Sequence, residues 1–272
     1  MNRRGFMRLA VATGAVLLGR PRPAAARGRW WSGLVFAVFE NHGFSQVVGL
    51  PSHRRLAAEG ALLTRYFAVS HPSGPNYRAL LSGETWGRAE VVDTFHPSVG
   101  SEAAALTPPI PTYVYDLAGE IATRHNPFID LQAPIAGTRH GLERLRADLN
   151  GTLPSAAIIY VGWDDANDMH DDAAERADHN LTALLDTLAA SSWFTTPDPE
   201  GRYPVLFFCY DEDSGLEGDR VFAAWWGHGV RRGWQSGIPH THYSFCRTVT
   251  DNWGLRPLGR AAGVSSIQEV WA

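Results

Sequence analysis

The sequence predicts an α/β protein, doubly wound around a mostly parallel central sheet with helices on its flanks, and three observations carry that prediction. Three short apolar runs at 34–39 (LVFAVF), 157–162 (AIIYVG) and 205–210 (VLFFCY) are rich in β-formers, and each ends abruptly in polar residues. Near-continuous apolar strands of this kind suit a parallel sheet covered on both faces. Helical patterns at 52–59, 75–81, 142–149 and 173–189 are interspersed with them, which is the βαβα order of an α/β domain. The 272 residues, 44% hydrophobic, contain no internal repeat or low-complexity linker, so a single core is expected.

Taken in order, the first segment reads as an address rather than as structure. Arg3-Arg4-Gly5-Phe6-Met7-Arg8 is a twin-arginine pattern, followed by the apolar run Leu9 to Leu18 and the small residues Ala24-Ala25-Ala26. Residues 1–26 are therefore expected to be an export signal read by the twin-arginine machinery, and 27–272 one catalytic domain, secreted or held in the cell envelope. The apolar run falls short of the ~20 residues needed to span a bilayer, and no later stretch reaches that length, so no stable membrane insertion is expected. All basic residues are arginine and five of the 24 precede residue 27, leaving 19 against 28 acids, a body near −9. A body that acidic, with no clustered basic face, excludes nucleic acid as a partner. Cys209 and Cys246 do not make a disulfide framework; a single bridge between them stays open.

The strand ends carry the chemistry. Glu40-Asn41-His42 closes the first run, and a carboxylate beside an amide oxygen is a hard donor pair for a divalent cation, or a cap for the following helix. In His71-Pro72-Ser73-Gly74-Pro75-Asn76-Tyr77, Ser73 stands just before Pro75, a residue favoured where helices begin. There it faces the free N–H groups of the helix, as a phosphate would; it is either a nucleophile or an ordinary N-cap. The Pro-rich stretch 107–111 reads as a loop. After the second run, residues 164–172 hold five carboxylates around His170, compensated by a cation or solvated by water. Asp211-Glu212-Asp213 ends the third run, as ligands or as the start of a turn. Residues 219–226 read as a further strand, and His240 and His242 flank a helix start where they bind or protonate a substrate oxygen, or simply lie at the surface.

The joint order of ENHGF, HPSGPNY with LLSG, NDMHDD, YDED and HYSFCRT, spread over residues 33–258, resembles the phosphoesterase family of secreted acid phosphatases and phospholipases C, within the alkaline-phosphatase-like superfamily. The likeness is closest to the short exported bacterial acid phosphatases. The resemblance implies that Glu40, Asn41, Ser73, Asp211 and Glu212 hold metal and that Ser73 is the nucleophile phosphorylated in turnover. It implies that His170, His125 and His242 hold phosphoryl oxygens or protonate the leaving group, and that Asn76 and Asp168 contact substrate. Residues 84–125 are compressed relative to such a family, so pocket residues there do not transfer.

The expected activity is a metal-dependent phosphomonoesterase working through phosphoserine, with a small-molecule or lipid phosphate ester as substrate. An oxygen-dominated ligand set favours calcium, magnesium or manganese over zinc. Phospholipase C is the alternative in the same chemistry, with Trp30-Trp31 and Trp225-Trp226 as candidate interfacial aromatics. A metal-stabilised binding protein is the alternative from another class. A sulfatase is disfavoured, because no Cys or Ser is followed by Pro-x-Arg.

Overall fold

The central sheet grows from the three apolar runs, which lie side by side at its middle. The computed structural model describes residues 27–272 apart from 152, 172 and 173, so the export signal expected at 1–26 lies outside the described residues, as does Asp172 of the acidic stretch. The strands are β1 (Leu34–Phe39), β2 (Ala61–Leu63), β3 (Tyr66–Phe67), β4 (Thr112–Asp116), β5 (Thr138–His140), β6 (Ile158–Gly162), β7 (Val205–Tyr210), β8 (Arg220–Val221), β9 (Ala223–Trp226), β10 (Trp234–Ser236) and β11 (His240–Thr241). The helices are α1 (Phe44–Val47), α2 (Pro51–Glu59), α3 (Ser73–Ser82), α4 (Val99–Ala104), α5 (Pro127–Asp130), α6 (Leu142–Leu149), α7 (Ala174–Ala189), α8 (Ser192–Thr195) and α9 (His242–Trp253).

Eight strands form the main sheet in the order β10-β2-β9-β7-β1-β6-β4-β5, and β11-β3-β8 form a small second sheet. The run from β7 through β5 is parallel throughout, and β9 joins β7 antiparallel. Every residue of β1, β6 and β7 is buried, which is why those strands read as unbroken apolar runs. The expectation of a doubly wound, mostly parallel sheet holds. The single strand expected at 219–226 is two strands in different sheets, with Phe222 between them. Strands β4 and β5 were not expected: β4 follows directly on the Pro-rich loop, and β5 is an exposed edge with no apolar alternation to reveal it.

Helix α2 packs on α7, which also meets α6 and α8, while α3 packs on α9, α4 and α5. Beneath α9, Phe245 stacks on Phe207 with ring centroids 4.3 Å apart. Of the tryptophans weighed as interfacial anchors, Trp31 and Trp225 are fully buried and Trp226 nearly so, while Trp30 is half-buried against the core. Trp271 packs at 4.8 Å from Trp31, 4.9 Å from Trp225 and 5.7 Å from Trp30. Cys209 and Cys246 are buried free thiols, so no bridge joins them. No helix among the described residues is long and apolar enough to cross a membrane.

Candidate active site

Parallel register assembles the site at the carboxyl edge of the sheet, where open α/β folds gather their ligands. Phe39 pairs with Tyr210 across β1 and β7, so the next residues, Glu40 and Asp211, emerge side by side. The Asp211 amide donates to the Phe39 carbonyl at 3.0 Å, and the Glu40 amide donates to the Asp168 carbonyl at 3.0 Å. The three chain segments that leave β1, β6 and β7 thus converge. Asn41 takes a positive φ of 55°, a left-handed conformation that asparagine tolerates better than most residues, and its amide donates to Asp211 Oδ1 at 3.1 Å.

Helix α3 delivers the serine. It begins two residues earlier than the sequence pattern predicts, with Pro72 at the N-cap, Ser73 as the first helical residue and Pro75 as the third. Ser73 is buried, and its Oγ donates to Glu40 Oε2 at 3.0 Å. One turn on, the Tyr77 hydroxyl donates to Glu40 Oε1. Residues four apart share a helix face, so the motif that points to Ser73 also contains the signal for Tyr77.

His125 ends a short 3-10 turn and stacks on Tyr77, centroids 5.3 Å apart. Its Nε2 lies 3.3 Å from Glu40 Oε2, and its Nδ1 lies 3.3 Å from Asp165 Oδ1 and 3.7 Å from Asp168 Oδ2. Neither ring nitrogen makes a hydrogen bond, although the ring is buried. His170 sits on the solvent side, its ring 5.8 Å from that of His125 and its Nδ1 2.6 Å from Asp171. The structure therefore brings Glu40, Asn41, Ser73, His125, Asp168, His170 and Asp211 to one place.

Asn76, His242 and Glu212 are found in a different relation to it. Asn76 Oδ1 accepts from the Val69 and Ser70 amides, and its Nδ2 donates to the Ser70 carbonyl and, at 3.2 Å, to Glu212 Oε2. That exhausts the amide's two donors and two acceptor sites. His242 is buried behind the site. Its Nε2 faces the Asp211 carbonyl at 2.6 Å and must donate to it, so Nδ1 accepts from the Tyr66 hydroxyl at 3.2 Å. No polar atom of either side chain is left over for a substrate.

Glu212 leads to His71 and Asp219, to which the sequence reading assigned no role. His71 Nδ1 lies 3.1 Å from Glu212 Oε2, and Nε2 lies 2.7 Å from Asp219 Oδ1 and 3.6 Å from Asp213 Oδ1. The signal for His71 was its place two residues before Ser73. Asp219 carried none, because it approaches from a turn of positive φ that the sequence reading took for strand.

Electrostatics identify what the cluster lacks. Burial, then the charges of Asp211 and Asp168, hold the Glu40 carboxyl well above its ordinary pKa. Burial likewise raises Asp211 and Asp168, and burial with Asp211 pushes Glu212 up to about 8. Burial works against the His71 imidazolium, but Asp219 and Glu212 outweigh it and raise its pKa. Like charges packed this closely need a cation or protons among them. Asp211 Oδ2 is buried with no hydrogen-bond donor, an orphaned oxygen of the kind a metal ion satisfies. Among the described residues, three groups bring ligand atoms within 4.8 Å of one another: Glu40 with His125 and Asp168, His71 with Asp213 and Asp219, and Asp165 with His170 and Asp171. These residues fit a divalent cation, with imidazole available beside the oxygen donors.

Several proteins named as phosphatases are similar to most of this chain. The chain is 27% identical over 255 residues to a phosphatidylinositol-3-phosphatase of Mycobacterium tuberculosis, covering 88% of this chain and 82% of that protein. It is 29% identical over 267 residues to a phosphate-repressible acid phosphatase of Penicillium chrysogenum, and 27% over 270 to an acid phosphatase of Aspergillus fumigatus. These matches take in 84% and 86% of this chain but only 61% and 57% of the fungal proteins. No protein-family model matches. Among solved structures, a protein of the alkaline phosphatase superfamily from Vibrio parahaemolyticus superposes with a TM-score of 0.65 at 14% identity, covering 90% of this chain and 72% of that one. A lipoteichoic acid synthase from Listeria monocytogenes gives 0.59 at 10% identity, covering 85% and 74%. The fold is that of the alkaline phosphatase superfamily, and the phosphoesterase resemblance read from the motifs is matched by relatives named as phosphatases.

Proposed function

We propose that residues 27–272 form one catalytic domain, a metal-dependent phosphomonoesterase of the acid phosphatase type that is exported by way of the twin-arginine signal at 1–26. The observation that carries the reading is Ser73 itself: a hydroxyl at the start of a helix, 3.0 Å from a buried carboxylate. The relatives named as phosphatases support it.

Glu40, Asn41, Ser73, Asp211 and Glu212, with Asp168 and His125 beside them, would hold a divalent cation, whose positive charge would polarise a phosphoryl oxygen and ease loss of the serine proton. The remaining work falls to the chain. The start of α3, where Ser73 and Gly74 carry the amides that lack an intrahelical acceptor, receives phosphoryl oxygens, as helix N-termini do. Ser73 Oγ attacks phosphorus in line, forming the Oγ–P bond as the ester P–O bond breaks, and its proton passes to Glu40 Oε2. Glu40 is placed for that task because its Oε2 already accepts the Ser73 hydroxyl at 3.0 Å. His170, on the solvent side, donates a proton to the departing alkoxide. Water then attacks the phosphoserine and gives a proton to His170; the P–Oγ bond breaks, Ser73 regains its proton from Glu40 and inorganic phosphate leaves. Asn76 and His242 act as positioning residues, one holding Glu212 and the other the main chain of Asp211.

The test compares p-nitrophenyl phosphate with phosphatidylcholine on residues 27–272, each with added divalent ion, with chelator and with Ser73→Ala. Monoester turnover lost to both chelator and substitution, with stoichiometric serine phosphorylation in a quenched wild-type reaction, is the expected result. Lipid cleavage with little monoester turnover moves the activity to phospholipase C. No turnover on either removes the enzyme.

A further inference from the structure

Helix α3 offers fewer anion-binding donors than an ordinary helix, and a side chain of this protein already occupies one of them. The first four N–H positions of a helix have no intrahelical acceptor. In α3 these are Pro72, Ser73, Gly74 and Pro75, and the two prolines have no N–H, so only Ser73 and Gly74 can donate. The Gly74 amide donates to Glu90 Oε2 at 2.9 Å.

That contact is built. Residues 85–93 form a strap across the start of α3, tied down by Arg78, which is fully buried. Its guanidinium donates to the carbonyls of Thr85, Ala89 and Glu90, and at 2.8 Å to Asp130 Oδ2. Asp130 Oδ1 in turn accepts the amides of Val92 and Asp93 at 2.6 and 3.0 Å. The strap lies so close that a Cβ at Gly74 would stand 2.0 Å from the Glu90 carbonyl oxygen, so glycine is required there. The Glu90 backbone is therefore fixed against the residue after the nucleophile, and its carboxylate reaches the donor beside Ser73. Its negative field is felt within the site, adding to the proton affinity of Glu212.

We propose that Glu90 is a specificity-determining residue: its carboxylate stands on the Gly74 amide where a phosphoryl oxygen binds, and biases the site against doubly charged phosphoryl groups in favour of singly charged ones. The inference rests on the phosphoesterase reading above. A dianionic monoester or inorganic phosphate must displace or sit beside a full negative charge. A diester, with one charge, meets about half that repulsion.

The experiment measures binding and selectivity separately. Isothermal titration with inorganic phosphate needs no turnover, so its outcome is readable even if the activity reading fails. Removing one charge at this range is expected to tighten phosphate about tenfold in Glu90→Gln. The ratio of kcat/KM for p-nitrophenyl phosphate over bis-p-nitrophenyl phosphate is expected to shift toward the monoester by about threefold, because the diester is relieved of only half that repulsion. Asp93→Asn removes the same charge from the same strap without touching Gly74, and is expected to change neither quantity. Glu90→Asp, shorter by one methylene, is expected to fall between wild type and Glu90→Gln, and serves if the latter does not fold. The proposal is overturned if Glu90 substitutions leave phosphate affinity and selectivity within twofold of wild type. It is equally overturned if Asp93→Asn shifts them as much, or if no variant binds phosphate. Wild-type protein that hydrolyses neither ester, while Glu90→Gln still tightens phosphate, sinks the activity and leaves the competition at Gly74 standing.

Discussion

His242 holds Asp211 by its main chain, not by its carboxylate: the imidazole Nε2 donates 2.6 Å to the Asp211 carbonyl oxygen while Nδ1 accepts from Tyr66. Oδ1 takes the Asn41 amide, Oδ2 is thus left free for a ligand, and the backbone that aims the carboxylate is pinned from behind. Burial lowers the His242 pKa to about 4 from 6.5. A group whose folded pKa lies below its unfolded value favours the folded state fully above the unfolded value. That contribution, about 3 kcal/mol, declines as pH falls from 6.5 through 4. His242→Gln is expected to flatten the acid limb of a urea-denaturation series between those values. An unchanged limb would mean that the ring titrates freely.

Ser73→Ala is expected to lower turnover at least about a thousandfold while leaving the melting temperature near that of wild type, because its hydroxyl makes one bond, to Glu40. Stopped-flow and quenched assays for a phosphoserine burst check this; turnover within tenfold of wild type would exclude the covalent route.

Arg78→Met leaves Asp130 charged and buried without its partner, at a cost of about 3–5 kcal/mol. Urea denaturation should show the loss, and limited proteolysis should cut first between residues 85 and 93, since the strap loses its three carbonyl anchors.

Chelation is expected to lower the melting temperature as well as the activity. Glu40, Asp211 and Glu212 repel one another without a cation, and a ligand present at a hundredfold its Kd contributes about 2.7 kcal/mol to the folded state. Scanning calorimetry with and without chelator reads the shift; an unchanged transition would place the metal elsewhere.

Cys209 and Cys246 should be inert to Ellman's reagent in the native protein and titrate as two thiols per chain in non-reducing denaturant. Both are buried, and burial holds both thiols above the ordinary range.

What could be read in advance followed from local chemistry. Strands β1, β6 and β7 announced themselves because burial on both faces leaves a run with no polar gap. The ligand-bearing ends were legible because those runs stop abruptly at Glu40, at the acidic stretch after Gly162 and at Asp211. The edge strand β5 was not legible, since Thr138, Arg139 and His140 carry no apolar alternation. His242 looked like a proton donor because its sequence neighbours show that it begins a helix; that both its nitrogens are engaged depends on Tyr66 and Asp211, which only the tertiary fold brings near. Glu90 and Asp219 carried no local signal for the same reason. Their roles arise from loops that return to the site after long excursions.

The tryptophan cluster has a consequence for the order in which the molecule is made. Trp30 and Trp31 emerge from the ribosome early, Trp225 much later, and Trp271, which touches all three, later still. The floor of the core therefore cannot close until residue 271 has been added. A nascent polypeptide that stops short of it would hold three large indoles without the ring that joins them. The addition of Trp271 is the event that closes the cluster.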